Sequence, residues 1–239
     1  MAKKLRLYQY LRQSGLIESL EEAKELVKLR KITVNDKIVQ FLHFQINPKK
    51  DLVKIDGKDV IIDIPKIYFM LNKPIGYITS PQGNDKQRNN VLELIKVDEK
   101  LKKTLFAAGR LDMNTSGLLL ITNDGKFVKR ILHPRNHIEK EYEVKIEKEL
   151  TSEEINKIEK GFKIKINGKS YQTMPAKVKL LDDSIYSLTI CEGKKRQIRV
   201  MMKTLGHPVL ELKRVRLGKL NLGKLEVGKF IEIKKEDVV

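Results

Sequence analysis

One stretch, FAAGRLDMNTSGLLLITNDG at residues 106–125, constrains the fold of this chain more than any other. Within it, residues 118–121 form a continuous apolar run, a pattern typical of a strand buried on both faces rather than of a half-exposed one. Residues 123–125, Asn-Asp-Gly, predict a turn, and Asp124 is placed to cap a short helix over residues 126–132. The stretch therefore predicts a central buried strand followed by a turn and a capped helix.

The same stretch contains a single carboxylate in a distinctive position. Asp112 lies between two apolar runs and is flanked by Gly109 and Gly117. Glycine is favoured where the backbone needs a positive φ or approaches another group closely, so Asp112 is expected on a shaped loop. An aspartate that merely bonds its own turn backbone is the competing interpretation, and spacing alone favours it.

The charge balance indicates a polyanionic partner. The 239 residues include 49 Lys and Arg against 31 Asp and Glu, which gives a net charge of +18 and a pI near 9.7. Cations placed on phosphates release counterions, so nucleic acid is the expected partner, although a generally lysine-rich composition would give the same excess. The sequence shows neither a secretion signal nor an apolar run of membrane-spanning length, and we expect a cytoplasmic protein with no membrane partner.

Cofactor and metal chemistry find little support in the sequence. There is no Walker loop, dinucleotide fingerprint or pair of carboxylates poised for glycoside hydrolysis. The four histidines lack metal-binding spacing, and one cysteine, Cys191, cannot form an intramolecular disulfide. We therefore expect no cofactor and no metal, and a buried, inert Cys191 in a reducing compartment.

Residues 1–64 predict a small basic domain of two short helices followed by hairpins. Ser19 and Glu22 form a capping-box pattern, and Asn35-Asp36 and Asp56-Gly57 predict tight turns. Four cations fall on or just after the second helix: Lys24, Lys28, Arg30 and Lys31. This order resembles the S-four-type RNA-binding module, which implies that these four cations bind RNA, although a plain packing unit would show the same order.

Residues 67–239 predict the main domain, beginning with a strand over 67–71, a turn at residues 72–74 that includes Lys73, and a strand over 77–79. Residues 80–90 lack apolar side chains and predict an exposed loop suited to RNA contacts. Tyr142 alternates with apolar residues on a strand. A helix over 195–205 would place Arg196, Arg199 and Lys203 on one face.

Four motifs together, GRLDMNTSGLLLITNDG, LNKPIG, HP..H.EKEYEV and EGKKRQIR, closely resemble those of the RsuA/RluB-like ribosomal RNA pseudouridine synthases. The resemblance implies an α+β fold, with an S-four-type domain followed by a mixed, mostly antiparallel sheet flanked by helices. It implies that Asp112 is the nucleophile, that Tyr142 stacks on the target base and that Arg199 is the basic partner of the aspartate. It further implies RNA contacts by Arg110, Lys73 and Arg196.

The function expected from this resemblance is isomerisation of a specific uridine in ribosomal RNA, within a structured segment, by a monomeric enzyme. Large-subunit RNA is favoured slightly over small-subunit RNA. A non-catalytic RNA-binding or ribosome-assembly factor would use the same basic surface without needing Asp112. A glycosylase, the other alternative, would flip the base in the same way and release free uracil.

Overall fold

The computed structural model describes residues 5–79 and 89–239, which form two compact units. The first unit contains residues 5–66 and 95–106, and the second contains residues 67–79, 89–94 and 107–239 of the described chain. Most of the loop predicted at residues 80–90 lies outside the described residues.

The first unit contains, in chain order, β1 Leu5–Arg6, α1 Leu7–Gln13, α2 Leu20–Lys28, β2 Ile32–Val34, β3 Lys37–Ile38, β4 Gln45–Ile46, β5 Val53–Ile55, β6 Lys58–Asp59 and α3 Glu99–Thr104. Ser19 caps α2 by accepting a hydrogen bond from the Glu22 backbone, as the sequence predicts. The four strands β3, β2, β5 and β6 form an antiparallel sheet in that order.

Turn chemistry sets the two hairpins of this sheet. Asn35 and Asp36 have φ of 51° and 63°, and Asp56 and Gly57 have φ of 48° and 76°. These positive values match the two-residue hairpin turns that Asn, Asp and Gly favour. Both predicted hairpins are thus confirmed. The core beneath them includes Leu7, Leu11, Ile17, Ile32 and Val53, all fully buried.

The second unit begins with β7 Tyr68–Lys73 and continues with β8 Phe106–Ala107 at the boundary, β9 Ser116–Thr122, α4 Gly125–Leu132, β10 Lys140–Ile146, α5 Ser152–Lys160, β11 Lys163–Ile166, β12 Lys169–Gln172, β13 Lys177–Asp182, β14 Ile185–Ile190, α6 Gln197–Thr204, β15 Val209–Leu217, β16 Leu220–Asn221 and β17 Phe230–Glu232. Short 3₁₀ turns cover Val91–Leu94, Pro134–Asn136 and Lys235–Asp237.

Seven of these strands follow one another in a single sheet, in the order β13, β14, β10, β15, β9, β7 and β17. The β15–β9 pair is parallel and the other neighbours in this series are antiparallel, which confirms the mixed, mostly antiparallel sheet. Residues 118–121 are fully buried in β9, as the apolar run predicts. Asp124 caps α4 through bonds from the backbones of Lys126 and Phe127.

The structure corrects three local expectations. Strand β7 runs on to Lys73, so the turn begins only at Pro74. Residues 77–79 form an isolated bridge through Ile78 instead of a strand. Helix α6 begins at Gln197, because Arg196 has φ of 55° and so lies outside the helix in a left-handed conformation. The β11–β12 hairpin has no counterpart in the sequence-based expectations.

Candidate active site

The loop that bears Asp112 leads directly into the central strand β9. Thr115 closes a turn by donating from its backbone to the Asp112 carbonyl at 3.0 Å. Gly76 donates to the Met113 carbonyl at 3.0 Å, and the Thr79 hydroxyl donates to the Leu111 carbonyl at 3.1 Å. Three separate contacts therefore hold the backbone of this loop while leaving the Asp112 side chain outside the network.

Lys73 supports this loop from inside the unit. It is fully buried, and its Nζ lies within 3.3 Å of the carbonyl oxygens of Pro74, Asp112, Met113 and Thr115. Burial lowers the pKa of Lys73 to about 8, against an opposing effect of the Asp112 charge. We expected Lys73 to contact RNA, but a side chain enclosed among four carbonyls cannot reach RNA in this conformation. The structure therefore corrects this expectation.

Asp112 itself is half-buried. Within residues 5–79 and 89–239, no hydrogen bond or ion pair to the Asp112 carboxylate is found, so it does not bond its own turn backbone. The competing interpretation of Asp112 as a turn aspartate therefore loses its physical basis. Asp112 therefore lies on a loop whose backbone is held by hydrogen bonds, while its carboxylate makes none among the described residues.

Asp112 lines a cleft of about 510 Å³, a size that suits a single nucleotide. Tyr142 lines the same cleft from β10 and is buried, with 8% of its surface exposed. Arg110 and Arg196 also line it and are exposed to solvent. Of the residues predicted from sequence, the cleft thus brings together Asp112, Tyr142, Arg110 and Arg196.

Four cations line this cleft that the sequence reasoning did not predict as site residues: Lys140, Lys194, Lys195 and Arg214. Arg214 on β15 is the direct partner of Tyr142 across the β10–β15 pair, and Lys140 lies two residues before Tyr142 on β10. Burial, and after it the charge of Arg214, lowers the pKa of Lys140. Arg214 shares one face of β15 with buried Leu212, but a basic residue at this position gives no local sequence signal of its burial.

The position of Arg214 depends on a glycine in β9. Gly117 has φ of 99°, and a Cβ there would lie 2.2 Å from the Arg214 carbonyl oxygen. Only glycine permits the two parallel strands to approach this closely. Gly117 therefore sets the distance between the strand that follows Asp112 and the strand that carries Arg214.

Arg199 lies outside the cleft and holds the same loop from the side of α6. Its Nη2 donates to the Asn114 carbonyl at 2.7 Å, and its Nη1 donates to the Val209 carbonyl at 3.0 Å. Burial and the charge of Arg196 lower the pKa of Arg199, whereas the charge of Asp112 raises it. No ion pair within 4 Å joins Arg199 and Asp112 among the described residues, so their attraction acts across a longer gap.

A second concavity, which we call the basic groove, adjoins α6 and the β11–β12 hairpin. Its volume is about 720 Å³, and the charged residues of the described chain that line it are all cations: Lys163, Lys165, Arg196, Arg199 and Lys203. Arg196 lines both the basic groove and the cleft, so the two are neighbours. The cations expected on one helical face do meet here, although Arg196 precedes the helix.

Glu192 connects the hairpin to the start of α6. Its buried carboxylate accepts hydrogen bonds from the Tyr171 hydroxyl, from the Met174 backbone at 2.9 Å and from the Gln197 amide at 2.5 Å. Burial and the bond to Glu192 raise the pKa of Tyr171 to about 12. The Glu192 carboxylate therefore accepts from three donors, and these bonds connect the β11–β12 hairpin to α6, the two walls of the basic groove.

The four cations predicted to bind RNA in the first unit are all exposed. Lys24 and Lys28 lie on α2, whereas Arg30 and Lys31 follow it. Lys31 makes an ion pair with Asp56 at 3.2 Å, which leaves the other three as the freer charges.

Other groups of the described chain add little chemistry to the site. Cys191 is a free thiol that is half-buried and lines the cleft. It follows the last residue of β14 and so lies outside the buried strand. The expectation that this thiol is buried is wrong. In the described ranges no cluster of three or more His, Cys, Asp or Glu residues could hold a metal ion. No described helix is long and apolar enough to cross a membrane.

Comparison with known proteins identifies the class to which this fold and cleft belong. Residues 67–204 match the family model of RNA pseudouridylate synthases, and residues 5–53 match that of the S4 domain. The chain therefore belongs to the RNA pseudouridylate synthase family, whose members are isomerases, and it carries an S4 domain. The family resemblance read from the sequence motifs is confirmed.

Individual relatives agree with this assignment. The chain is 38% identical to the ribosomal large subunit pseudouridine synthase B of Bacillus subtilis, over 87% of this chain and 84% of that one. It is 34% identical to the ribosomal small subunit pseudouridine synthase A of Yersinia pestis, over 90% and 88% of the two chains. A crystal structure of a pseudouridylate synthase superposes with a TM-score of 0.69 at 29% identity, covering 98% of each chain.

Proposed function

We propose that this protein converts one uridine within ribosomal RNA to pseudouridine, with Asp112 as the nucleophile. The observation that carries the proposal is half-buried Asp112, whose carboxylate has no partner in the described chain and which lines a nucleotide-sized cleft together with buried Tyr142. An ionised carboxylate can act as a covalent nucleophile. The ribosomal RNA substrate is supported by the relatives named for the large and small ribosomal subunits.

The target base has to leave its stack before it can enter the cleft. Tyr142 would stack on the flipped uracil and assist removal of the C5 proton, while exposed Arg110 would fill the gap left in the RNA. Asp112 would attack C1′ of the ribose, attack C6 of the uracil, or remove a ribose proton to form a glycal. Each route breaks the C1′–N1 bond and forms a C1′–C5 bond, so the composition of the RNA is unchanged.

Arg199 acts in this proposal as the basic partner of Asp112, but through the loop as well as through charge. Its bond to the Asn114 carbonyl fixes the backbone two residues beyond the nucleophile. The charge of Asp112 acts in turn on Arg199, where it opposes the lowering of the guanidinium pKa by burial. The guanidinium can make both backbone bonds at once because its donors are held in a fixed planar fork.

The RNA flanking the target would lie along the cationic surfaces. Arg196 stands where the cleft meets the basic groove, and Lys24, Lys28, Arg30 and Lys31 form a separate cationic surface in the S4 domain. We further propose a target in large-subunit RNA, since identity to the large-subunit enzyme is 38% against 34% to the small-subunit one. The protein would act as a monomer in the cytoplasm.

Unmodified transcripts of both ribosomal RNAs test the proposal. After incubation with the protein, each RNA is digested to nucleosides and pseudouridine is counted, while free uracil is measured in solution. We expect one pseudouridine per large-subunit transcript, none in the small-subunit transcript and no uracil. Released uracil would instead indicate a glycosylase, and RNA that binds without changing would indicate a non-catalytic factor.

A further inference from the structure

Arg214 is a buried cation whose bonding is incomplete. Only 3% of its surface is exposed, and its Nε donates to the Leu118 carbonyl at 2.7 Å. Its Nη2 is buried and has no hydrogen-bond partner in the described chain. No carboxylate of the described residues lies within 4 Å of it. A buried guanidinium without a counter-charge is costly, so Arg214 is expected to bind a group that enters from outside the described chain.

The surroundings of Arg214 indicate where that ligand lies. Arg214 lines the cleft with Asp112, and it is the register partner of Tyr142 on the neighbouring strand β10. Lys140 also lines the cleft and adds a second cation. Of the two acids that line the cleft, Glu192 already accepts from three donors, and Asp112 makes no ion pair with Arg214 within 4 Å among the described residues. The missing partner of Nη2 is therefore a group that enters the cleft and offers an oxygen with negative charge.

The proposed reaction generates such a group beside Tyr142. When the C1′–N1 bond breaks, both bonding electrons leave with the uracil, and conjugation places the negative charge on N1, O2 and O4. Formation of the C1′–C5 bond returns one electron pair from the ring to the ribose. The C5 proton then departs to solvent, and N1 takes up a proton, so that no other reactant is required.

We propose that Arg214 is a catalytic residue whose Nη2 donates to a carbonyl oxygen of the detached uracil and stabilises the anion until it is rejoined through C5. This inference rests on the proposed function and assigns a role that Asp112, Tyr142 and Arg199 do not fill. The donor is pre-positioned by the Leu118 bond and by the close approach at Gly117, so it needs no rearrangement when charge develops.

A leaving-group comparison tests the assignment. Fluorine at C5 withdraws electrons and stabilises the uracil anion without help from the protein. Single-turnover consumption of the target nucleotide is measured with uridine RNA and with 5-fluorouridine RNA, for wild type, Arg214→Gln and Arg214→Lys. Glutamine removes the charge while keeping a donor for the Leu118 carbonyl. We expect Arg214→Gln to slow uridine consumption by about 100-fold or more. The factor by which it slows 5-fluorouridine consumption should be at least about tenfold smaller.

RNA affinity and thermal unfolding are measured for the same variants. Unchanged affinity with a smaller loss on 5-fluorouridine RNA supports the role of Arg214, and Arg214→Lys should show the same trend with a milder loss. If Arg214→Gln does not fold, the ratio for Arg214→Lys decides. Equal losses on both substrates, or weaker binding with a shallower salt dependence as for a phosphate contact, would overturn it. A wild type that makes no pseudouridine would overturn the proposed function and this inference together.

Discussion

Lys73 illustrates how a single buried residue can hold the backbone of a loop, here the one that bears Asp112. Its ammonium is surrounded by four carbonyl oxygens, two of which belong to Asp112 and its neighbour Met113. Burial lowers its pKa to about 8 from the ordinary lysine value of 10.5. Between these two pH values the unfolded chain holds the proton and the native protein has largely lost it. The contribution of Lys73 to the free energy of unfolding therefore rises with pH across this window.

Replacement of Lys73 by methionine tests this account. At pH 7 the variant should lose about 2–4 kcal/mol of stability, because four carbonyls lose their donor. The difference from wild type should widen above pH 8, by up to about 1.4 kcal/mol per pH unit. Urea unfolding at pH 7, 8.5 and 9.5 measures this difference in the free energy of unfolding, and Lys179→Met, at an exposed position, is the control. A difference that stays constant or narrows with pH would contradict the shifted pKa.

Single residues differ in how far the sequence reveals them. Asp112 and Tyr142 could be predicted as site residues because each lies in a motif that resembles those of the family, although spacing alone favoured a turn role for Asp112. The structure brings both residues to one cleft. Lys73 and Arg214 could not be interpreted correctly in the same way. Their roles depend on carbonyls and strands that are distant in sequence, such as Leu118 beside Arg214. In a chain with 49 Lys and Arg residues, one more basic side chain gives no local signal of burial.

At the scale of elements, α6 and the β11–β12 hairpin enclose the basic groove. Glu192 ties these elements together, and the exposed Lys163 and Lys165 of β11 line the groove with Lys203 of α6. Periodicity predicted α6 within two residues at its start, but not the left-handed conformation of Arg196. The hairpin escaped prediction because its KIKI and KSYQ strands are short and highly polar.

The basic groove should hold RNA phosphates next to the cleft. We expect the triple variant Lys163→Ala, Lys165→Ala and Lys203→Ala to weaken RNA binding and to reduce the slope of log affinity against log salt by about 2, close to 0.7 per lost single-strand contact. Binding measured from 50 to 300 mM salt provides the slope. Lys179→Ala, an exposed lysine outside the groove, is the matched control. An unchanged slope in the triple variant would exclude the groove from the RNA path.

At the scale of the whole molecule, the features that the sequence predicts are distributed over two units. The S4 domain supplies exposed cations and its own apolar core, whereas the synthase unit contains both the cleft and the basic groove. Many individual elements were predictable, because hairpin turns, helix caps and the buried β9 strand are local patterns. The class of the sheet followed only from the family resemblance. The inclusion of residues 95–106 in the first unit was not predictable, since it depends on contacts between distant segments.

Turnover by Asp112→Asn tests the central claim most directly. The amide keeps the shape of the side chain but cannot act as a nucleophile, so single-turnover pseudouridine formation in ribosomal RNA should fall at least about 10³-fold while RNA affinity stays within about threefold. Asp183→Asn, on an exposed turn away from the cleft, should retain wild-type activity. Measurable turnover by a verified Asp112→Asn protein, at more than a tenth of the wild-type rate, would contradict the account.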